Sequence, residues 1–265
     1  MERTERYTAG IDCGTHSIKA VVADGERWLA TSEVKTGLDI ARLAEEAYHK
    51  ALTSAGLSAP QLRAVFATGA GREAVEIASS RVSEISAAAR AAQVLCPEAR
   101  TLIEAGAEEV RVIKLVAGRV VDFALNDKCA ASCGTFVEIM ARALELELSE
   151  VGRLSLQASG DLTINARCVV FAESEMIGLI HRQVPRAEIV RAVHHALAER
   201  VVSLVRRVGL EPPVLLAGGL GRDQGFAAAL EKKLGLKLLT LEQPEFIGAL
   251  GAALAAADSL RERVK

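Results

Sequence analysis

The sequence predicts an α/β protein built from two related lobes. Three observations point there. A strand–turn–strand unit occurs twice, at "TAGIDCGTHSIKAVVADGERWLATSEVKTG" and at "RTLIEAGAEEVRVIKLVAGRVVDFALND", and each is followed by helical segments. The 265 residues are 50% hydrophobic and 25% charged, enough apolar material for two packed cores. No long structureless linker interrupts the chain. The repeat is one of layout rather than of letters.

The elements follow in order. The first unit reads as a strand, a tight turn at Gly14, a second strand and a third. "DIARLAEEAYHKALTSAGLS" has helical periodicity and ends near Gly56. "LRAVFATGAGRE" is strand-like with a glycine turn behind it, and the Ala-rich "VSEISAAARAAQVLCPEA" is a helix stopped by Pro97. The second unit turns at Gly106 and again near Gly118. "GTFVEIMARALELEL" is amphipathic, and "ESEMIGLIHRQ" and "RAEIVRAVHHALAERVVSLVRRVG" are helical. "PPVLLAGGLGRD" is a short buried strand ending in glycines. A helix, a strand "LKLLTLE" and a closing helix "PEFIGALGAALAAADSL" complete the chain. The expected division is a first lobe over 1–95, to which the last helix at about 244–262 returns, and a second lobe over 96–243.

Composition excludes several partners. Aromatic residues are only 3%, which argues against base stacking on single strands. Lys plus Arg number 32 against 34 Asp plus Glu, a net charge of −2 with no basic block, which argues against nucleic acid. No apolar run approaches the roughly 18 residues of a membrane helix. The charged start runs straight into a strand, with no export-type apolar stretch, so the expected compartment is the cytoplasm. Five cysteines in such a chain suggest metal, redox chemistry or burial rather than a disulfide frame.

Three glycine turns stand at strand ends. "GIDCGTHSIKAVVAD" places Asp12, Gly14, Thr15, Ser17 and Lys19 around one turn. Backbone N–H groups and hydroxyls there could bind phosphate, and Asp12 could hold magnesium through oxygen. Taken alone, the stretch fits an ordinary hairpin with a charged tip equally well. "TLIEAGAEEV" presents Glu104 and Gly106 in an equivalent setting. "LLAGGLGRD" presents Gly218, Gly219 and Gly221, which let a backbone approach a ligand closely. Neither a G-x-x-x-x-G-K-[ST] loop nor a helix-opening G-x-G-x-x-G is present.

The set, in this order, resembles the actin, sugar-kinase and Hsp70 superfamily of ATPases. That resemblance implies two ribonuclease-H-like lobes with a nucleotide cleft between them. Two further stretches, "NDKCAASCGTFVEIM" and "CVVFAESEMIGLI", are similar to one branch of it: the BadF/BadG/BcrA/BcrD-type family of 2-hydroxyacyl-CoA dehydratase activators and ATP-binding subunits of benzoyl-CoA reductases. The resemblance implies an ATPase that couples hydrolysis to low-potential electron transfer. It implies ATP or ADP, Mg2+, and a [4Fe–4S] cluster shared between two subunits, with Cys129 and Cys168 as this chain's ligands. It also implies a homodimer, or a heterodimer with a related subunit. The electron would come from ferredoxin or flavodoxin and pass to an iron–sulfur acyl-CoA dehydratase or, alternatively, a reductase. By that resemblance Asp12 and Glu104 would take the catalytic roles. Gly14, Thr15, Ser17, Lys19, Gly106, Gly218, Gly219 and Gly221 would take the nucleotide.

Other residues read more simply. Cys13 and Cys96 match no ligand motif and read as buried thiols. Cys133, where the family usually has "KCAAGTGRF", reads as a plain substitution, with a spare or swapped ligand as alternatives. His16 reads as a solvated loop residue. Neighbouring His194 and His195 point apart on a helix, which argues against joint metal binding. Glu173 and Glu175 read as helix caps. The family's second phosphate motif commonly runs "DIGGQD"; "EAGAEE" puts glutamate at 104 and 108, which could slow hydrolysis. A small-molecule kinase of the same superfamily is a further alternative, against which Glu104 counts where a catalytic aspartate is needed, and the change keeps a non-catalytic ATP sensor open.

Overall fold

The computed structural model describes residues 7–126, 133–165 and 168–262. The first elements are β1 (Tyr7–Cys13), β2 (Ser17–Asp24), β3 (Arg27–Lys35), α1 (Ile40–Ala55), β4 (Ala64–Thr68), β5 (Ser80–Arg81) and α2 (Glu84–Leu95). Then come β6 (Thr101–Ala105), β7 (Val110–Val116), β8 (Arg119–Leu125), α3 (Gly134–Ala143), α4 (Leu148–Leu156), α5 (Val169–His181) and α6 (Arg186–Val208). The chain closes with β9 (Val214–Ala217), α7 (Gln224–Leu234), β10 (Leu238–Thr240) and α8 (Ile247–Glu262).

Two compact units result. The first takes Met1–Ala99, Val116–Val120 and Phe246–Lys265, and the second takes Arg100–Leu115 and Val121–Glu245. The first holds a five-stranded sheet in the order β3-β2-β1-β4-β5, and the other sheet runs β8-β7-β6-β9-β10. In each, the leading strand pairs antiparallel with the next and parallel with a later one: β1 with β2 and β4, β6 with β7 and β9. The duplicated layout read from the sequence is therefore a duplicated sheet topology.

The first unit is assembled from small residues. Tyr7–Cys13 is buried along almost its whole length, and α8 lies directly on it. A Cβ at Gly10 would stand 1.9 Å from the Ala249 carbonyl oxygen and 2.4 Å from the Ala253 nitrogen, so only glycine admits this approach. Thr8 Oγ1 donates to the Ala253 carbonyl at 2.9 Å. On the other side of α8, a Cβ at Gly251 would meet the Ala87 carbonyl of α2 at 1.8 Å. Arg90 of α2 grips Asp258 of α8 with two bonds, Nε to Oδ2 at 2.6 Å and Nη2 to Oδ1 at 3.1 Å. Helix starts are capped by side chains: Asp39 accepts the Arg42 N–H and Ser83 accepts the Ser86 N–H. Gly56, at φ +67°, closes α1.

Two elements differ from the sequence reading. The amphipathic stretch 134–148 is not one helix. It stops at Ala143, where Glu145 takes φ +55° and the Leu146 N–H turns back to the Ala141 carbonyl at 2.9 Å. This is a glycine-free helix stop, and α4 begins again at Leu148. The two-residue strand β5 is too short to show alternation and escapes sequence reading.

Substituting Gly251→Ala should lower stability by at least the ~1–3 kcal/mol typical of an overpacked core. Urea unfolding would measure it. An unchanged midpoint would contradict the close α2–α8 contact.

Candidate nucleotide and cysteine sites

In the first unit the turn between β1 and β2 is held from several sides. The Gly14 N–H donates to the Ser17 carbonyl at 3.2 Å, Thr36 Oγ1 donates to the Gly14 carbonyl at 2.8 Å, and the Thr36 N–H donates to the His16 carbonyl at 3.0 Å. Thr15 and His16 stay exposed at the tip, while Ser17 is buried. Lys19 lies opposite Asp12 in the strand register, on the same face. Its Nζ donates to Ser17 Oγ at 2.6 Å and lies 3.8 Å from Glu33. The Asp12 carboxylate sits among backbone: a Cβ at Gly69 would be 2.5 Å from Oδ1, and one at Gly248 would be 2.8 Å from Oδ2. Gly248 is the second residue of α8, so Asp12 lies at a helix N-terminus, where the helix dipole favours negative charge. Behind it, burial first and the Asp12 charge second push the Cys13 thiol up to about 12, consistent with an inert core thiol.

In the second unit Glu104 and Arg111 face each other across β6 and β7. Arg111 Nη1 donates to Glu104 Oε2 at 3.2 Å, and Arg111 Nη2 also bonds the Glu109 carboxylate. All three side chains are at most one-third exposed. Sequence reasoning singled out Glu104 but missed Arg111, because the pairing appears only once the register is known. The Gly106 N–H closes its turn on the Glu109 carbonyl at 2.8 Å. The glycine turn after β9 lies against the end of β6. Gly218, at φ +83°, would put a Cβ 2.4 Å from the Ala105 carbonyl oxygen, and its N–H donates to the Pro244 carbonyl at 2.9 Å. A Cβ at Gly221 would meet the Pro244 side chain at 2.9 Å. Gly219 is exposed, and a Cβ there would have nothing within 4 Å. Two of the three glycines thus seat the turn, and the third leaves its open side bare.

The cysteines separate sharply. Cys129 lies outside the described residues. Cys133 caps α3 and is 0% exposed, in one buried cluster with Phe136, Met140, Ala172 and Met176. Burial pushes its thiol up, more strongly than the hydrogen bonds from Thr135 and Phe136 lower it. Cys168 instead stands half-buried at the N-cap of α5, with no side-chain capping bond. Beside it, Val170 and Phe171 are 66% and 69% exposed, and Ile177 and Ile180 are exposed further along the helix. Among the described residues, no three His, Cys, Asp or Glu side chains converge as a metal centre. Glu175 does not cap its helix. It accepts the Asn165 N–H at 2.8 Å and so tethers the segment ahead of Cys168.

His194 is completely buried, and its Nε2 lies 3.1 Å from Asp223 Oδ2. Asp223 also caps α7 by accepting the Phe226 N–H at 3.0 Å. Burial alone would raise the Asp223 carboxyl, but the His194 hydrogen bond and charge, with the Phe226 and Gly225 N–H groups, hold it below its ordinary value. This pair fixes the helix that follows the glycine turn. It escaped sequence reading because its members are 29 residues apart. The neighbouring His195 is half-buried, and burial first, then the charges of Arg191, Lys232 and Lys233, hold its imidazole below its ordinary value. No helix among the described residues is long and apolar enough to cross a membrane.

Two sheets of one topology, each with a turn after its leading strand, define a two-lobed α/β fold of the actin-like ATPase and sugar-kinase type. Within that class the chain belongs to the BadF/BadG/BcrA/BcrD ATPase family, whose model matches residues 9–256. It is 35% identical over 264 residues to the 2-hydroxyisocaproyl-CoA dehydratase activator of Clostridioides difficile, covering 98% of both chains. It is 38% identical over 259 residues to the activator of lactoyl-CoA dehydratase of Anaerotignum propionicum, covering 97% of this chain and all of that one. A benzoyl-CoA reductase subunit of Thauera aromatica is 34% identical over 259 residues, covering 93% of this chain and 92% of the relative. The solved activator of the 2-hydroxyisocaproyl-CoA dehydratase from Clostridium difficile with bound ADPNP superposes with a TM-score of 0.93, covering 97% of each chain at 34% identity.

Arg111→Met removes the cation that Glu104 faces in a nearly dry setting and should cost about 3 kcal/mol, read from urea unfolding. Asp223 predicts a pH effect of defined sign. Its folded carboxyl titrates below 3.8, so its contribution is present above that value and is lost as pH falls through the folded one. Asp223→Asn keeps the cap but not the charge, and thermal unfolding of this variant should fall less steeply between about pH 4 and pH 2 than that of the parent.

Proposed function

We propose that this chain is an ATP-dependent low-potential electron donor that activates a 2-hydroxyacyl-CoA dehydratase. One observation carries the reading: in a member of this ATPase family, Cys168 stands at the N-terminus of α5 on the edge of an exposed apolar helix face. A thiol there suits an anionic iron–sulfur group. Helix N–H groups and the dipole favour negative charge, and α5 has no acidic residue in its first turn. A [4Fe–4S] cluster takes four thiolates, and the motif positions Cys129 and Cys168 supply two. Two copies meeting about a two-fold axis would complete the set. The bare surface of Val170, Phe171, Ile177 and Ile180 is the kind of patch such a contact covers. The group would supply one-electron transfer, and Cys129 and Cys168 would hold it.

The nucleotide side is assigned by residue. Thr15, Ser17, Lys19 and the Gly14 turn take the phosphates, and Asp12 takes Mg2+ directly or through water. Glu104 and the Gly106 turn orient water, while Gly218, Gly219 and Gly221 take the adenosine end. The electron source is ferredoxin or flavodoxin, the state a cytoplasmic homodimer, and the partner an iron–sulfur acyl-CoA dehydratase. A second reading is favoured by Arg111. A glutamate already engaged by a guanidinium is a weaker acceptor for the proton of an attacking water. That suits a slow ATP-binding subunit beside a more active one, in a heterodimer of benzoyl-CoA reductase type.

Anaerobic purification tests the assignment. About four irons per two chains are expected, with the broad absorbance near ~400 nm of such clusters, and Cys129→Ala or Cys168→Ala should lose both. Cys133→Ala should keep its iron. Protein that binds nucleotide yet stays iron-free after reconstitution would remove the electron-transfer role. A strict requirement for a second, related subunit would favour the reductase reading.

A further inference from the structure

The helix behind the buried Cys133 is capped by the phosphate turn itself. Cys133 occupies the N-cap of α3, with Thr135 and Phe136 hydrogen-bonded to its thiol. Ahead of that contact the Gly134 N–H donates to the Gly106 carbonyl at 2.9 Å, and the Thr135 N–H donates to the Ala107 carbonyl at 2.8 Å. Thr135 Oγ1 donates to that same Ala107 oxygen at 2.7 Å. The approach is close: a Cβ at Gly134 would stand 3.0 Å from the Gly106 oxygen and 3.5 Å from Leu220 in the glycine turn. The start of α3 is therefore seated on the second phosphate turn, beside the adenosine turn. At its other face, α3 packs on α5, whose N-cap is Cys168. Phe136, Val137 and Met140 share a buried cluster with Ala172 and Met176.

Peptide geometry makes this seat a lever. In a planar trans peptide, the C=O and the N–H point in opposite directions. The two peptides whose carbonyls hold α3 carry the N–H groups of Ala107 and Glu108 on their far sides. An anionic ligand that accepts from those N–H groups reorients the same rigid planes, and so shifts the carbonyls that α3 is bonded to. Resting on the proposed nucleotide role of the Gly106 turn, we propose that Thr135 is the positioning residue that transmits nucleotide occupancy at that turn through α3 to the Cys168 end of α5. Its hydroxyl and amide together bind one oxygen, so α3 follows the Ala107 peptide instead of slipping from it.

Hydrogen–deuterium exchange on the full-length chain, with and without saturating ADP or a non-hydrolysable ATP analogue, tests this. Calorimetry on each variant establishes that nucleotide is bound. In the parent protein, nucleotide should change exchange both in α3 and in the first turns of α5. Thr135→Val removes the hydroxyl donor but keeps shape, and should cut the α5 response about fivefold, the equilibrium equivalent of one ordinary hydrogen bond. Thr135→Ser should restore it. A merely structural role would lower the melting temperature of the valine variant and leave its nucleotide response intact, which overturns the proposal. So does a parent protein that binds nucleotide with no change at α5. A parent protein that binds no nucleotide refutes the functional reading and this coupling together.

Discussion

In the first unit β1 and α8 approach backbone to backbone at Gly10, with the Ala252 methyl beside the contact. That contact fixes where the proposed metal-binding carboxylate sits. A helix laid so closely along the leading strand delivers its own N-terminus to the strand's end. There the Asp12 carboxylate lies beside Gly248, while Gly69 clears its other side. The charge on Asp12 thus lies in the field of a helix dipole, and its basic cross-strand partner, Lys19, is engaged with Ser17 and Glu33. A dipole steadies a carboxylate, which suits the Mg2+ role proposed for Asp12. The Ala-rich faces of α2 and α8 follow from the same constraint, since larger side chains would lift α8 off the sheet and carry its N-terminus away from Asp12.

The second unit repeats the sheet but not the electrostatics. The acid that ends its leading strand, Glu104, is met by Arg111 from the paired strand, and Arg111 also binds Glu109. The guanidinium orients both carboxylates and offsets the cost of their burial. The two turns are therefore not interchangeable. The first is arranged around an acid set against a helix terminus, the second around an acid stabilised by a side chain. This asymmetry is in keeping with the proposed roles, in which the first turn would take metal and phosphate and the second would position water.

What could be read from the sequence follows from the range of each interaction. Both sheets, the turns at Gly14 and Gly106 and the long helices announce themselves by periodicity and glycine placement, which are local signals. The break between α3 and α4 did not, because Glu145 adopts its left-handed backbone without the glycine that usually marks one. Arg111 was invisible until the β6–β7 register paired it with Glu104, and the His194–Asp223 contact joins two helices. The seat of α3 on the Gly106 turn is made mostly of backbone atoms, and backbone atoms leave no trace in residue letters. Side-chain chemistry was legible where a motif spelled it out; the contacts that connect one motif to another were not.

The two described cysteines of the motif stretches show how much burial decides. Cys133 begins one helix and Cys168 begins another, so by helix position alone either thiol could serve an anionic group. Packing separates them. Cys133 lies inside the cluster that joins α3 to α5, and ionising it there means placing an anion among Phe136, Met140 and Met176. Cys168 keeps a surface position, and the apolar residues beside it face outward rather than closing over it. A thiolate at Cys168 needs no rearrangement of the core, whereas one at Cys133 would dissolve the contact through which α3 holds α5. The buried thiol fits the α3–α5 contact uncharged, and the shift proposed at the start of α3 would pass through that contact to the half-buried thiol that starts α5.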